Sequence, residues 1–70
     1  MNQIKIFFLN GRKYYTFHYV NISNIIDYFN YSNSFFILEY NNLICTRNDW
    51  SKIFITNFDK IEIITIVGGG

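Results

Sequence analysis

Proline and alanine are both missing from the 70 residues, and cysteine, histidine, methionine and tryptophan occur once each. A lone Cys45 forbids an intramolecular disulfide, so packing must supply the stability, and a reducing compartment is the simpler expectation. With His18 alone, neither a multi-ligand metal site nor a His-based triad can be assembled. Charge is scarce and balanced, at six Lys+Arg against five Asp+Glu, with no block of one sign. A concentrated cationic face for nucleic acid is thereby excluded. The apolar runs fall far short of the roughly 20 residues that cross a bilayer, and the start lacks a signal-peptide layout, so neither membrane insertion nor export is expected. Glycine appears at Gly11 and then only at the end, which rules out a Gly-rich phosphate loop. Asp27, Glu39, Asp49, Asp59 and Glu62 are scattered without the paired spacing of a general acid and base. Binding or carriage is favoured over catalysis.

What is abundant is apolar. Half the residues are hydrophobic and 21% are aromatic, so few positions suffice for a dense core. One domain is expected, near the lower size limit for a fold without staples. The wealth of Asn, Ile, Phe, Tyr and Lys matches AT-rich codons, which suggests an organellar or endosymbiont genome.

The run Ile4 to Leu9 meets Asn10-Gly11, a pair that tolerates the positive φ of a type I′ turn. A hairpin strand should therefore return over Lys13 to Tyr19. Apolar residues at Ile22, Ile25, Ile26 and Phe29 follow the i, i+3, i+4, i+7 spacing of a helical face, with Asn21 or Ser23 as cap. Phe35 to Tyr40 alternates as a strand, with Phe36, Leu38 and Tyr40 on one face. Asn41-Asn42 turns the chain into a short strand at Leu43 to Cys45. Thr46 to Lys52 reads as a capped helical turn anchored by Trp50, and Phe54 to Asp59 as a connecting loop. The order predicts an α+β fold, a mixed four- to five-stranded sheet curled over one main helix with a short second helix, and with the first and last strands as neighbours. That is the ubiquitin-like β-grasp plan.

The chain closes on Ile61 to Gly70, a β-branched strand that runs directly into Gly68-Gly69-Gly70. We expect a domain over 1–67 and a slim tail over 68–70 that can thread a narrow channel, with an unhindered carboxylate at Gly70. A frayed end is the plain alternative. Alternation places Ile61 and Ile63 toward the helix and Ile64 and Ile66 outward. Ile6, Phe8, Ile37, Ile64 and Ile66 are accordingly the candidate partner-binding surface. Cys45 is expected to be a small buried hydrophobe, Arg47 to pair at the surface, and His18 to face solvent. Tyr14, Tyr15 and Phe17 would be the stacking residues of a single-stranded nucleic-acid binder, were a basic groove present.

The segments Phe8-Leu9-Asn10-Gly11, Thr46-Arg47-Asn48-Asp49-Trp50 and Asp59 to Gly70, around a hairpin and one helix, resemble the ThiS family of thiamine-biosynthesis sulfur carriers. The likeness spans nearly the whole chain. It departs where the family usually has Pro, here Thr46, and where it usually has Gly before the Asp, here Phe58. The resemblance implies a co-substrate and not an enzyme, with no bound cofactor and no metal. Its Gly70 carboxylate would be adenylated by a ThiF-type adenylyltransferase using ATP. Sulfur derived from a cysteine desulfurase would then form a thiocarboxylate, for use by a ThiG-type thiazole synthase. It also implies the cytoplasm of a bacterium or the stroma of a plastid. A related carrier for molybdopterin synthesis or tRNA thiolation, and a ubiquitin-like interaction module without covalent chemistry, are the alternatives.

Overall fold

Two hairpins, each closed by a two-residue turn of left-handed backbone, form the flanks of the sheet in the computed structural model, which describes residues 3–66. The first joins β1 (Lys5–Leu9) to β2 (Arg12–Thr16) through Asn10 at φ 50° and Gly11 at φ 80°. The second joins β3 (Phe36–Tyr40) to β4 (Leu43–Cys45) through Asn41 at φ 50° and Asn42 at φ 73°. Positive φ at both central positions is the type I′ requirement, and its twist matches that of the strands it links. Asparagine meets the requirement with little steric cost.

Between the hairpins lies β5 (Asp59–Thr65), and the five strands run in the order β2-β1-β5-β3-β4. β1 and β5 are parallel, while every other neighbouring pair is antiparallel. The last strand of the sequence is therefore the middle strand of the sheet, as the β-grasp plan requires.

One helix, α1 (Ile22–Tyr28), packs across the sheet. Asn21 is its cap. The Asn21 side chain accepts from the Asn24 N–H at 2.8 Å, and the Asn24 side chain accepts from the Asn21 N–H at 2.9 Å. This reciprocal pair satisfies two backbone donors that the first turn would otherwise leave open. Ile22, Ile25 and Ile26 point into the core with Phe7, Leu9, Leu38, Ile61 and Ile63. The 3.6-residue and 2-residue periods thus meet in one apolar layer.

Four expectations are revised. β2 ends at Thr16, short of Tyr19. There the Thr16 hydroxyl accepts from the His18 N–H, and Tyr19 stacks on Phe54 with centroids 4.1 Å apart, drawing the chain off the sheet. The second helix is a single 3-10 turn, Arg47–Asp49, with no side-chain cap from Thr46. The stretch expected as a plain connection contributes core: Ile55 is fully buried, its N–H donates to the Val20 carbonyl, and Phe54 bridges Asn21. Cys45 lies on the edge strand and is only half-buried.

Candidate functional site

The outward face of the sheet carries the residues that alternation assigns to it. Ile64 and Ile66 are 48% and 55% exposed, whereas their neighbours Ile61 and Ile63 are buried. Ile37 is the cross-strand partner of Ile64 and is 40% exposed. These three side chains form one apolar group where β5 leaves the sheet. Two residues outside the expected set belong beside them. Phe35 shares the parity of Ile37, and its carbonyl accepts from the Ile66 N–H at 3.0 Å. Ile44 stands opposite Glu39 on β4, and both Phe35 and Ile44 are strongly exposed. Once Asn41-Asn42 is read as a two-residue turn, the register that puts Ile44 on this face follows from it.

Ile6 and Phe8 face the same way and are half-buried, but they lie elsewhere on the face. Phe8 is level with Lys60, four residues before Ile64, which is about 13 Å along a strand. Lys60 and Glu62 occupy the outward positions in between. The five residues expected as one surface are therefore two groups, with a charged strip separating them. In that strip Glu62 stands directly across from Glu39, a like-charge pair that costs the isolated sheet stability.

Asp59, one of the acids scattered along the sequence, is the most densely bonded side chain of the described residues. It is 4% exposed. One carboxylate oxygen accepts from Tyr40 Oη at 2.7 Å and the Thr56 N–H at 2.8 Å, and the other from Thr56 Oγ1 at 2.9 Å and Asn41 Nδ2 at 3.1 Å. Burial pushes its pKa up, but the hydrogen bonds from Thr56, Tyr40 and Asn41 outweigh it and hold the carboxyl below its ordinary value. Burial, together with the donation to Asp59, raises the Tyr40 phenol to about 12. Thr56 lies only three residues away, but Tyr40 and Asn41 lie 19 and 18 residues away in the chain, and no local motif announces those two. Asp59 is a structural tie that fixes where β5 begins.

The remaining candidates separate. Tyr14 turns inward, stacking on Phe7 and meeting Phe29 edge-on, while Tyr15 points to the opposite face and Phe17 lies beyond the strand. They form no common stacking platform. Burial, then the nearby Asp49, raises the Cys45 thiol, which opposes a nucleophilic role. Arg47 lies over the Trp50 ring at 5.3 Å in place of the expected surface pair, and Trp50 stacks on Phe36 while its Nε1 donates to the Cys45 carbonyl. His18 is exposed. Among the described residues no cluster of three His, Cys, Asp or Glu could hold a metal, and no helix is long and apolar enough to cross a membrane. Gly68, Gly69 and Gly70 lie outside the described residues, as does the proposed boundary at Val67.

Comparison with known proteins adds three findings. The ThiS family model matches residues 9–70. The uncharacterized protein ycf40 of Trieres chinensis is 53% identical over 66 residues, covering 94% of this chain and 90% of its own, and that of Porphyra purpurea is 27% identical over 62 residues, covering 89% and 87%. The crystal structure of the thiamine biosynthesis protein (ThiS) from Geobacter metallireducens superposes with a TM-score of 0.77, covering 93% of this chain and 99% of its own, at 16% identity. That last likeness is one of fold.

Proposed function

The chain belongs to the ThiS family, and from that premise we propose that it is a sulfur carrier of thiamine biosynthesis, a protein co-substrate whose working group is the Gly70 carboxylate. A carboxylate is a poor electrophile. In the proposed reaction it attacks the α-phosphorus of ATP on a ThiF-type adenylyltransferase, giving an acyl adenylate and releasing pyrophosphate. Persulfide sulfur from a cysteine desulfurase is reduced by a thiol, which is oxidised to a disulfide, and the resulting sulfide attacks the acyl carbon and displaces AMP. The product is a thiocarboxylate, which a ThiG-type thiazole synthase consumes. Every catalytic group in this sequence belongs to the partners.

The observation that carries the reading is the family match running through the last residue, on a chain whose central strand leads straight into three glycines. Gly68 and Gly69 supply backbone without Cβ, so the arm is slim enough for a channel. Ile37, Ile64 and Ile66, at the point where the chain leaves the sheet, are the docking group we assign to both enzymes, with Ile6 and Phe8 as a second contact across the charged strip. The compartment we assign is the plastid stroma, in line with the ycf40 relatives, or a bacterial cytoplasm.

Intact mass after incubation with ATP, a sulfide source and a ThiF-type enzyme tests the chemistry. A gain equal to sulfur replacing oxygen is expected in the full chain and not in a Gly70-deleted one. An unchanged mass, with the enzyme active on its own carrier, would overturn the proposal. Gly69→Trp should block the modification, because an indole cannot follow glycine through the channel.

A further inference from the structure

β1 stops before β5 does. Its last pairing is Leu9 with Ile61, while β5 continues to Thr65 and keeps β3 alongside as far as Phe36. Among the described residues, Ile63 to Thr65 therefore have a neighbouring strand on one side only. Ladder alternation tells which backbone groups face the open side. The Asn41 N–H donates to the Lys60 carbonyl, and the Ile66 N–H donates to Phe35, so even-numbered residues of β5 turn toward β3. The Ile61 carbonyl accepts from the Asn10 N–H, so odd-numbered ones turn the other way. Asn10 Oδ1 then meets the Ile63 N–H at 2.7 Å, a side chain standing in for a strand. Beyond it, the Ile63 carbonyl and the Thr65 N–H and carbonyl face the notch.

A depression lies on each face of the sheet at the β1–β2 hairpin, where β1 ends. On the outer face, one of about 210 Å³ lies among Phe8, Gly11, Lys60 and Glu62. On the inner face, one of about 250 Å³ lies among Leu9, Arg12, Tyr14, Phe29 and Tyr31, beside Asn10. Successive side chains of a strand point to opposite faces. A strand laid in the notch would thus set its side chains alternately on the two faces, while its backbone meets the open groups of Ile63 and Thr65.

We propose that docking adds a strand: an extended segment of the activating adenylyltransferase pairs with β5 along Ile63–Thr65, with apolar residues at alternate positions that continue onto Ile64 and Ile66. The proposal deepens the carrier reading and rests on it. A backbone is the chemistry that satisfies a donor and two acceptors spaced along a strand edge. The exposed apolar side chains on the adjoining outer face specify what such a segment carries there. Pairing at this edge would also align the chain just before Val67 to Gly70, so that the tail enters the partner along the direction of β5.

The test uses the full-length chain and a ThiF-type adenylyltransferase, with Thr65→Pro beside Thr65→Val. Proline removes the open N–H yet breaks no bond to β3, and edge positions of this kind accept it. Valine keeps the N–H and the shape. Thr65→Pro should weaken binding about tenfold or more, the size of a lost interfacial hydrogen bond with its unpaired partner, while Thr65→Val binds as the wild type does. Amide exchange at Thr65 in the unmodified chain should slow at least about tenfold on complex formation, which decides the matter if the proline variant does not fold. Equal binding by a folded Thr65→Pro, or unchanged exchange at Thr65 in a formed complex, would overturn strand addition and leave the carrier reading intact. Protection of Thr65 by self-association without the enzyme would overturn it in favour of a second copy. Absence of binding by the wild type would overturn both readings.

Discussion

The two ends of β5 are built in opposite ways. At its start, Asp59 to Ile61 have strands or turns on both flanks: β1 pairs through Ile61, Asn41 exchanges two hydrogen bonds with Lys60, and the Asp59 carboxylate collects Tyr40, Asn41 and Thr56. At its end, Ile63 to Ile66 have β3 on one side, an open edge on the other, and exposed isoleucines on the outer face. The lesson is a division of labour within a single strand. Satisfied hydrogen bonds and burial at one end hold the register, which leaves the other end free to present backbone and apolar surface without loosening the fold.

Substitution at each end should expose the contrast. The largest effect on stability is expected for Asp59→Ala, which leaves the Tyr40 hydroxyl and the Thr56 N–H without their acceptor and should cost about 3 kcal/mol in denaturant unfolding. Ile64→Asp with Ile66→Asp should do the reverse. Both sites are exposed, so unfolding should shift by less than about 1 kcal/mol, while affinity for the adenylyltransferase and the synthase falls beyond detection. A carrier that still binds with both charges in place would remove the docking assignment.

The pH profile sharpens the same comparison, because Asp59 and the Tyr40 hydroxyl bonded to it meet at the start of β5. Asp59 is held below the ordinary carboxylate value of 3.8, so its contribution is present above that value and is lost as pH falls through the folded pKa. Tyr40 is raised from 10.0 to about 12, so its contribution is present below pH 10 and is lost as pH climbs through about 12. Melting temperature should therefore fall at both extremes. Asp59→Asn should flatten the acid limb, and Tyr40→Phe should lessen the fall between pH 10 and 12.

Smaller gains are expected where the fold carries local strain. Phe58 holds φ 68° at the third position of the Thr56–Asp59 turn, a position at which type II geometry favours glycine, and its ring is largely exposed. Phe58→Gly relieves the left-handed conformation and should stabilise by about 1 kcal/mol in thermal unfolding, less the entropy that glycine adds to the unfolded chain. Smallest of all, Glu39→Gln removes the like-charge pairing with Glu62 and should add a few tenths of a kcal/mol, an effect that fades with added salt.

Local chemistry was enough to read the frame. Asn10-Gly11 and Asn41-Asn42 announce their turns because few residues accept positive φ, and the spacing of Ile22, Ile25 and Ile26 marks the buried face of α1. The inward set Phe36, Leu38 and Tyr40, and the outward pair Ile64 and Ile66, follow from a period of two once a strand is assumed. Less legible was anything that depends on how far one strand slides along another. Ile6 and Phe8 have the outward parity expected of them, yet the register of β1 against β5 sets them a charged strip away from Ile64.

By itself, then, the sequence determined the elements, their inward and outward faces and the glycine ending, because each is written in residues within a few positions of one another. Tertiary structure alone decided that Asp59 gathers Tyr40 and Asn41 from the end of β3, that Ile55 enters the core, and that β1 ends early enough to leave Thr65 on an open edge. Those outcomes join residues tens of positions apart. Their energy comes from contacts that exist only after the chain has closed, so no local pattern records them.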